Sequence, residues 1–172
     1  GYLGRKLYDV VRYPHGEKIS DFHIPVTVDD YRAVYCGYLH DPDLQDARAR
    51  WPFICIWDNH EYSWQGYRGI EVFGGEVRAA QTKKVAAHQA WWEYQPARVT
   101  RPGADRHHFV APAVKDAPIE FDENGFARGP DNLAAVESLT IYRAFRYGQN
   151  AELILTDNPS YKIADADGAA VA

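Results

Sequence analysis

The stretch Pro52-Phe53-Ile54-Cys55-Ile56-Trp57-Asp58-Asn59-His60-Glu61 constrains this chain more than any other. Phe53, Ile54, Cys55 and Ile56 form a short apolar run with both faces apolar. It reads as a buried strand of a parallel or mixed sheet, starting after Pro52. Ligands of open α/β sheets bind beyond the carboxyl ends of the strands. This run ends there in four polar residues. Asp58 and Asn59 offer hard oxygen donors, His60 offers a metal ligand or a proton, and Glu61 can orient the imidazole or be a further ligand. The competing reading is a turn, because Asp-Asn is turn-prone. On spacing alone the turn is the stronger of the two.

The flanking pattern places this run in a layered α/β chain. Thr27 and Asp30 have capping-box spacing, and Tyr31, Val34, Tyr35 and Tyr38 recur at helical spacing, so a helix runs to about Leu39. Within it, Arg32 could pair with a core carboxylate or face a phosphate, and the structural pair is the favoured reading. Asp41 and Pro42 are an N-cap and first-turn proline for a second helix ending near Arg50. After Glu61, the residues Tyr62, Trp64, Gly66, Tyr67 and Gly69 read as a loop. Its aromatics serve either as a substrate-facing wall or as buried anchors, and a Tyr-rich loop also fits a carbohydrate-binding module. The spacing of Val77, Ala80, Lys84, Ala87, Trp91 and Tyr94 predicts one helix over 76–94, stopped by Pro96. His88 lies at the edge of that apolar stripe and reads as a satisfied core residue.

Residues 1–26 and 99–137 read as irregular, with turns at Asp122-Glu123-Asn124-Gly125 and Gly129-Pro130-Asp131-Asn132. His15 and His23 read as surface residues, and adjacent His107 and His108 disfavour a joint metal site because strand neighbours point apart. Period-two alternation over 138–147, a Gly148-Gln149-Asn150 turn and a return strand over 151–156 predict a hairpin, with Asp157 at a strand end. The tail from Asp165 reads as frayed.

At 172 residues the chain is expected to be one domain with a real core. Five Trp and twelve Tyr argue against disorder. A net charge of −5 without Lys or Arg runs argues against a nucleic-acid scaffold role. Cys36 and Cys55 read as reduced, packed thiols. No stretch is apolar and long enough to span a membrane. The chain has no Met, as expected of an internal segment.

Trp57-Asp58-Asn59-His60-Glu61 resembles the Trp-Asp-Asp-His-Glu signature of the PhoD-like alkaline phosphatases, a branch of the metallophosphoesterases. The context is similar too: Asp30-Tyr31-Arg32 with Tyr38, Asp41-Pro42-Asp43-Leu44-Gln45, Ala90-Trp91-Trp92-Glu93-Tyr94-Gln95-Pro96 with Arg98, and Ile141-Tyr142-Arg143 leading to Glu152–Asp157. The resemblance runs from about Thr27 to Lys162. Asn59 replaces the second acid, as in the wider superfamily's Gly-Asn-His-Glu pattern. The segment after Tyr62 lacks the usual Asn-Asp pair, and Asn158-Pro159-Ser160 replaces Thr-Arg-Gln. The family's N-terminal Asp box, its Gly-Asp box and its C-terminal Gly-Asp-x-His ligands do not occur here.

The resemblance implies the central part of a layered α/β/β/α sandwich, with helices around a mixed sheet. It implies a metal-dependent phosphomonoesterase or phosphodiesterase using two or more ions among Ca, Fe, Mn and Zn. Asn59 and Asp58 would be metal ligands, His60 would assist the leaving group, and Asp58 would tune His60. It further implies a phosphate-ester substrate, other polypeptide chains of the same enzyme as partners, and a periplasmic or extracellular site. The contrasting expectation is a non-catalytic binding or structural domain of the aromatic-rich, carbohydrate-binding type.

Overall fold

Two capping devices set the first helices. The Thr27 hydroxyl accepts from Asp30 N while the Asp30 carboxylate accepts from Thr27 N, and the chain then runs as α1, Val28–Leu39. The Asp41 carboxylate accepts from Asp43 N and Leu44 N ahead of α2, Pro42–Arg50. Both match the sequence reading. Arg32 does form a structural pair, but with surface acids instead of a core carboxylate: its guanidinium forks onto Glu93 through two 2.7 Å bonds and also holds Asp29.

This computed structural model describes residues 15–19, 22–63, 65–73, 75–97 and 107–162. Arg98, Trp64 and the tail from Asp165 lie outside them. The strands are β1 Glu17–Ile19, β2 Phe22–Ile24, β3 Ile70–Phe73, β4 Glu76–Ala79, β5 Glu120–Phe121, β6 Ala127–Arg128, β7 Arg143–Tyr147 and β8 Ala151–Leu155. They pair as β1-β2, β3-β4, β5-β6 and β7-β8, each antiparallel with its sequence neighbour. The remaining helices are α3 Gln81–Tyr94, α4 Pro130–Val136 and α5 Asn158–Tyr161. The fold is therefore mixed α/β, helices with small antiparallel sheets.

Several expectations change. The run over 53–57 forms no regular element and joins no sheet among the described residues. Phe53, Ile54 and Ile56 are 37, 41 and 49% exposed, and only Trp57 is buried. An apolar run records that a segment can be covered on both faces. It does not record which strand lies beside it, and none described here does.

The second change is at 76–79, which form β4 and not the first turn of a helix. Val77 faces Val72 across the β3-β4 hairpin, and Gly75 takes φ +85° at its turn. Val77 and Ala80 are three apart, a spacing that a helix and a strand-to-helix junction both satisfy. Third, Gly129 and Pro130 start α4 instead of closing a turn, with Pro130 in the first helical turn. The Asp122–Gly125 turn forms as expected, with the Asp122 carboxylate accepting from Asn124 N and Phe126 N. Glu17–Ile19 and Phe22–Ile24, in a stretch read as irregular, pair as β1-β2.

The centre of the molecule is α3. Gln81, Lys83, Lys84, Val85, Ala86, Ala87, His88, Ala90 and Trp91 are all buried on it, and α1 and α4 pack against it. One core cluster gathers Tyr31, Tyr62, Ala80, Ala86, Ala87 and Ala90, and the other gathers Trp57, Trp91, Leu139 and Ile141. Tyr35 touches both. The β7-β8 hairpin forms, with Phe145 opposite Leu153, but its first strand begins at Arg143, and Leu139 and Ile141 serve the core instead. Cys36 and Cys55 are free thiols as expected, although Cys36 is exposed, not packed, with its Sγ 3.3 Å from the Tyr94 hydroxyl.

Candidate functional site

Asp58–Glu61 is a single capped turn presented to solvent. Asp58 adopts an extended backbone (φ −115°, ψ −179°) and caps the 3-10 turn Asn59–Glu61. Its carboxylate accepts from His60 N at 3.3 Å, and the Glu61 carboxylate accepts from Asp58 N in return. The two acids at the ends of the tetrad thus satisfy the backbone donors that a short turn leaves over. Asp58 is exposed, and Asn59, His60 and Glu61 are half-buried. Burial pushes the Glu61 carboxyl up from its ordinary 4.5, and the Asp58 N–H it accepts opposes that rise.

Buried aromatics hold both ends of the turn. On the N-terminal side, the Trp57 indole stacks flat on the His88 ring, 4.2 Å between centroids and 8° between planes, and meets Trp91 edge-on at 5.3 Å. Its Nε1–H donates to Asp157 Oδ1 at 2.7 Å. The same carboxylate oxygen accepts from Ser160 N and so caps α5. On the C-terminal side, the Tyr62 hydroxyl donates to Ile70 O at 2.5 Å, with Arg68 O at 3.2 Å, and Tyr62 O accepts from the Tyr31 hydroxyl. A Cβ on Gly66 would fall 2.4 Å from the Tyr62 ring, so the close approach requires glycine there. One residue further, Ser63 donates to Glu71, whose carboxylate pairs with buried Lys83 at 2.6 Å.

Beneath the turn lie Lys84 and His88. The Lys84 ammonium is 4.6 Å from the Tyr62 ring centroid and 5.9 Å from that of Trp57. Burial pushes its pKa down from 10.5 to about 8, against the attraction of Asp157 and with the repulsion of Arg68. Burial, and then the nearby Lys84 charge, hold the His88 imidazole well below its ordinary range, so it is neutral. Ser138 Oγ donates to Ala135 O at 2.8 Å, which leaves His88 Nδ1–H as donor in the 2.7 Å contact with Ser138. His88 is thus the satisfied core histidine its position on the stripe indicated.

Asp58, Asn59, His60 and Glu61 therefore stand together by chain adjacency. Asp58 Oδ1 accepts from the His60 backbone amide, so the carboxylate shapes the turn that carries the imidazole. Among the described residues no group of three or more His, Cys, Asp or Glu side chains is placed to hold a metal ion. His107 and His108 are exposed and join no such group. Tyr62 and Tyr67 are 4 and 1% exposed, so they are anchors and cannot stack on a sugar. The sequence reading overlooked Asp157 as the partner of Trp57 and Lys84 as a buried cation under the tetrad. A signal for Lys84 existed: a lysine standing within an otherwise apolar helical stripe.

The PhoD-like phosphatase family model matches residues 5–171, nearly the whole chain. The chain belongs to the PhoD-like phosphatase family. This PhoD-like chain is 26% identical over 137 residues to alkaline phosphatase D of Bacillus subtilis (strain 168). The match covers 80% of the chain and 18% of that relative, so the chain spans less than a fifth of the relative's length. No solved structure matches it. Among the described residues of this PhoD-like chain, no helix is long and apolar enough to cross a membrane.

Proposed function

We propose that this chain supplies the Asp-Asn-His-Glu part of the active site of a metal-dependent phosphoric ester hydrolase, a phosphomonoesterase or phosphodiesterase. The observation that carries the reading is the tetrad itself: four polar residues on one capped turn, none of them buried, locked at both ends by buried Trp57 and Tyr62. Family membership and the relative named alkaline phosphatase D support it.

The donor set suits hard or borderline cations. Asn59 brings an amide oxygen and Asp58 a carboxylate with one oxygen engaged by the His60 amide, beside an imidazole. These two residues would hold part of a site for two or more ions of Ca, Fe, Mn or Zn, with further ligands from elsewhere in the enzyme. Such ions polarise phosphoryl oxygens and lower the pKa of a bound water. His60 would donate a hydrogen bond or a proton to the leaving oxygen. Asp58 holds the turn in the conformation that presents His60, and Glu61 holds Asp58.

In this reading residues 1–172 form one domain, the central part of a PhoD-like phosphatase domain built as an α/β/β/α sandwich, completed by other polypeptide of the same enzyme. The exposed run Phe53–Ile56 and the exposed β7-β8 hairpin fit segments that such a sandwich covers. A periplasmic or extracellular location goes with that family. The rival sugar-binding module is not favoured, because Tyr62 and Tyr67 are buried.

The test is His60→Ala in the complete protein, assayed on bis(p-nitrophenyl) phosphate with added Ca²⁺, Mn²⁺ or Zn²⁺. The expected result is a fall in kcat of roughly 10²–10⁴, the range for a lost acid–base group. An unchanged kcat sinks the role of His60, and no metal-dependent hydrolysis by the wild type sinks the reading as a whole.

A further inference from the structure

Lys84 is among the largest wholly buried side chains of the described residues, 1% exposed, on the helix α3 against which α1 and α4 pack. A buried ammonium is costly unless something answers its charge. Here the answer is two ring faces and a carboxylate. The rings belong to Tyr62 and Trp57, the two residues that bracket Asp58–Glu61 in the chain. The carboxylate is Asp157, which also accepts the Trp57 indole N–H. Lys84 and Glu61 line one small recess together with Trp57, Tyr62, His88 and Pro159, so the ammonium lies under the acid that closes the capped turn. Packing alone does not call for a charge at this place, since a methionine has similar volume and no charge to desolvate.

We infer that Lys84 is a positioning residue of this site: its buried ammonium holds the Tyr62 and Trp57 rings at the two ends of the tetrad and thereby fixes where Asn59 and His60 are presented. The inference rests on the phosphatase reading for its kinetic consequences and on the geometry alone for its structural ones. The lysine acts on Trp57 twice. It faces the indole directly, and its field helps to keep the stacked His88 neutral.

The experiment is Lys84→Met and Lys84→Arg in the complete protein with its metals, assayed on bis(p-nitrophenyl) phosphate. Lys84→Met should fold with an unfolding midpoint at pH 7 no lower than wild type. Its kcat should fall by about 10²-fold, the size of loss that ångström-scale misplacement produces, with KM within about two-fold. A lysine that serves packing only would give the opposite pattern, a lower midpoint with kcat per folded molecule unchanged, and that result overturns the inference.

A second readout uses the wild type itself, so the test survives a variant that fails to fold. Near-UV circular dichroism from the tryptophans should show a one-proton transition near pH 8, where Lys84 loses its charge. The other groups that face Lys84 are Asp157, Arg68, His88, Glu61 and Tyr62. Lys84→Met and Lys84→Arg should each remove the transition, since neither new side chain titrates there. A wild-type spectrum that is flat between pH 7 and 9, or a transition retained in both variants, overturns the inference. A wild type inactive on every phosphate ester would overturn the phosphatase reading instead, and the spectra would still decide whether Lys84 holds the turn.

Discussion

Asp157→Ala should be the most informative single change to the support of the tetrad. The carboxylate does three things at once. It accepts the Trp57 Nε1–H at 2.7 Å, it caps α5 through Ser160 N at 3.1 Å, and it faces the buried Lys84 charge. Removing it leaves an indole N–H unpaired beside a side chain that is 4% exposed, about 1–3 kcal/mol. Loss of the cap adds about 1 kcal/mol. Lys84 also loses the carboxylate that opposes its desolvation, which puts the total at roughly 3–5 kcal/mol. Asp157→Asn keeps an oxygen acceptor for both donors and loses only the charge, so it should cost less than half as much. Equilibrium urea unfolding followed by tryptophan fluorescence measures both, with the slope m unchanged. The Lys84→Met background isolates the charge: there, Asp157→Ala should cost less than in wild type, by a coupling of order 1 kcal/mol. A loss under about 1 kcal/mol for Asp157→Ala, or equal losses for Ala and Asn, would refute this account of how Trp57 is held.

Two further outcomes follow from the same surroundings. Gly66→Ala should destabilise the protein by about 1–3 kcal/mol, because the new methyl meets the rigidly bonded Tyr62 ring at 2.4 Å; thermal unfolding with no loss of midpoint would contradict it. Stability should rise with pH between about 8 and 10.5, since over that range the unfolded chain holds a proton on Lys84 that the folded protein has released. The full gain is at most about 3 kcal/mol, and Lys84→Met should abolish it. Above about pH 10.5 the trend should reverse, because burial raises the Tyr31 and Tyr62 hydroxyls well above their ordinary 10.0 and the folded protein there holds protons that the unfolded chain has shed. Urea midpoints measured from pH 7 to 11 test both signs.

Much of the local structure was legible because it is decided within a few residues. Thr27 with Asp30 and Asp41 with Pro42 satisfy helix-end donors three residues or fewer away, so the starts of α1 and α2 could be read directly. The same holds for the β7-β8 hairpin, whose alternation and turn lie within thirteen residues. The β4 segment was misread because Val77 and Ala80 satisfy both periods; its strand identity comes from pairing with β3, a choice made by residues before it. The tetrad was legible as chemistry, and its capped-turn geometry also follows from its own two acids.

Sequence by itself determined the residues that form the tetrad, the two acids that fold it into a turn, the aromatic pair that flanks it, and the family to which the whole pattern belongs. Tertiary structure alone decided what the tetrad stands on. Trp57 is tied to Asp157 one hundred residues away, His88 to Ser138 fifty residues away, and Lys84 reaches Tyr62 across the core. It also decided that Trp57 is buried while Phe53, Ile54 and Ile56 of the same run remain exposed. The reason is physical: caps and hairpins are closed by short-range hydrogen bonds between near neighbours, whereas burial depends on which distant segment arrives to exclude water.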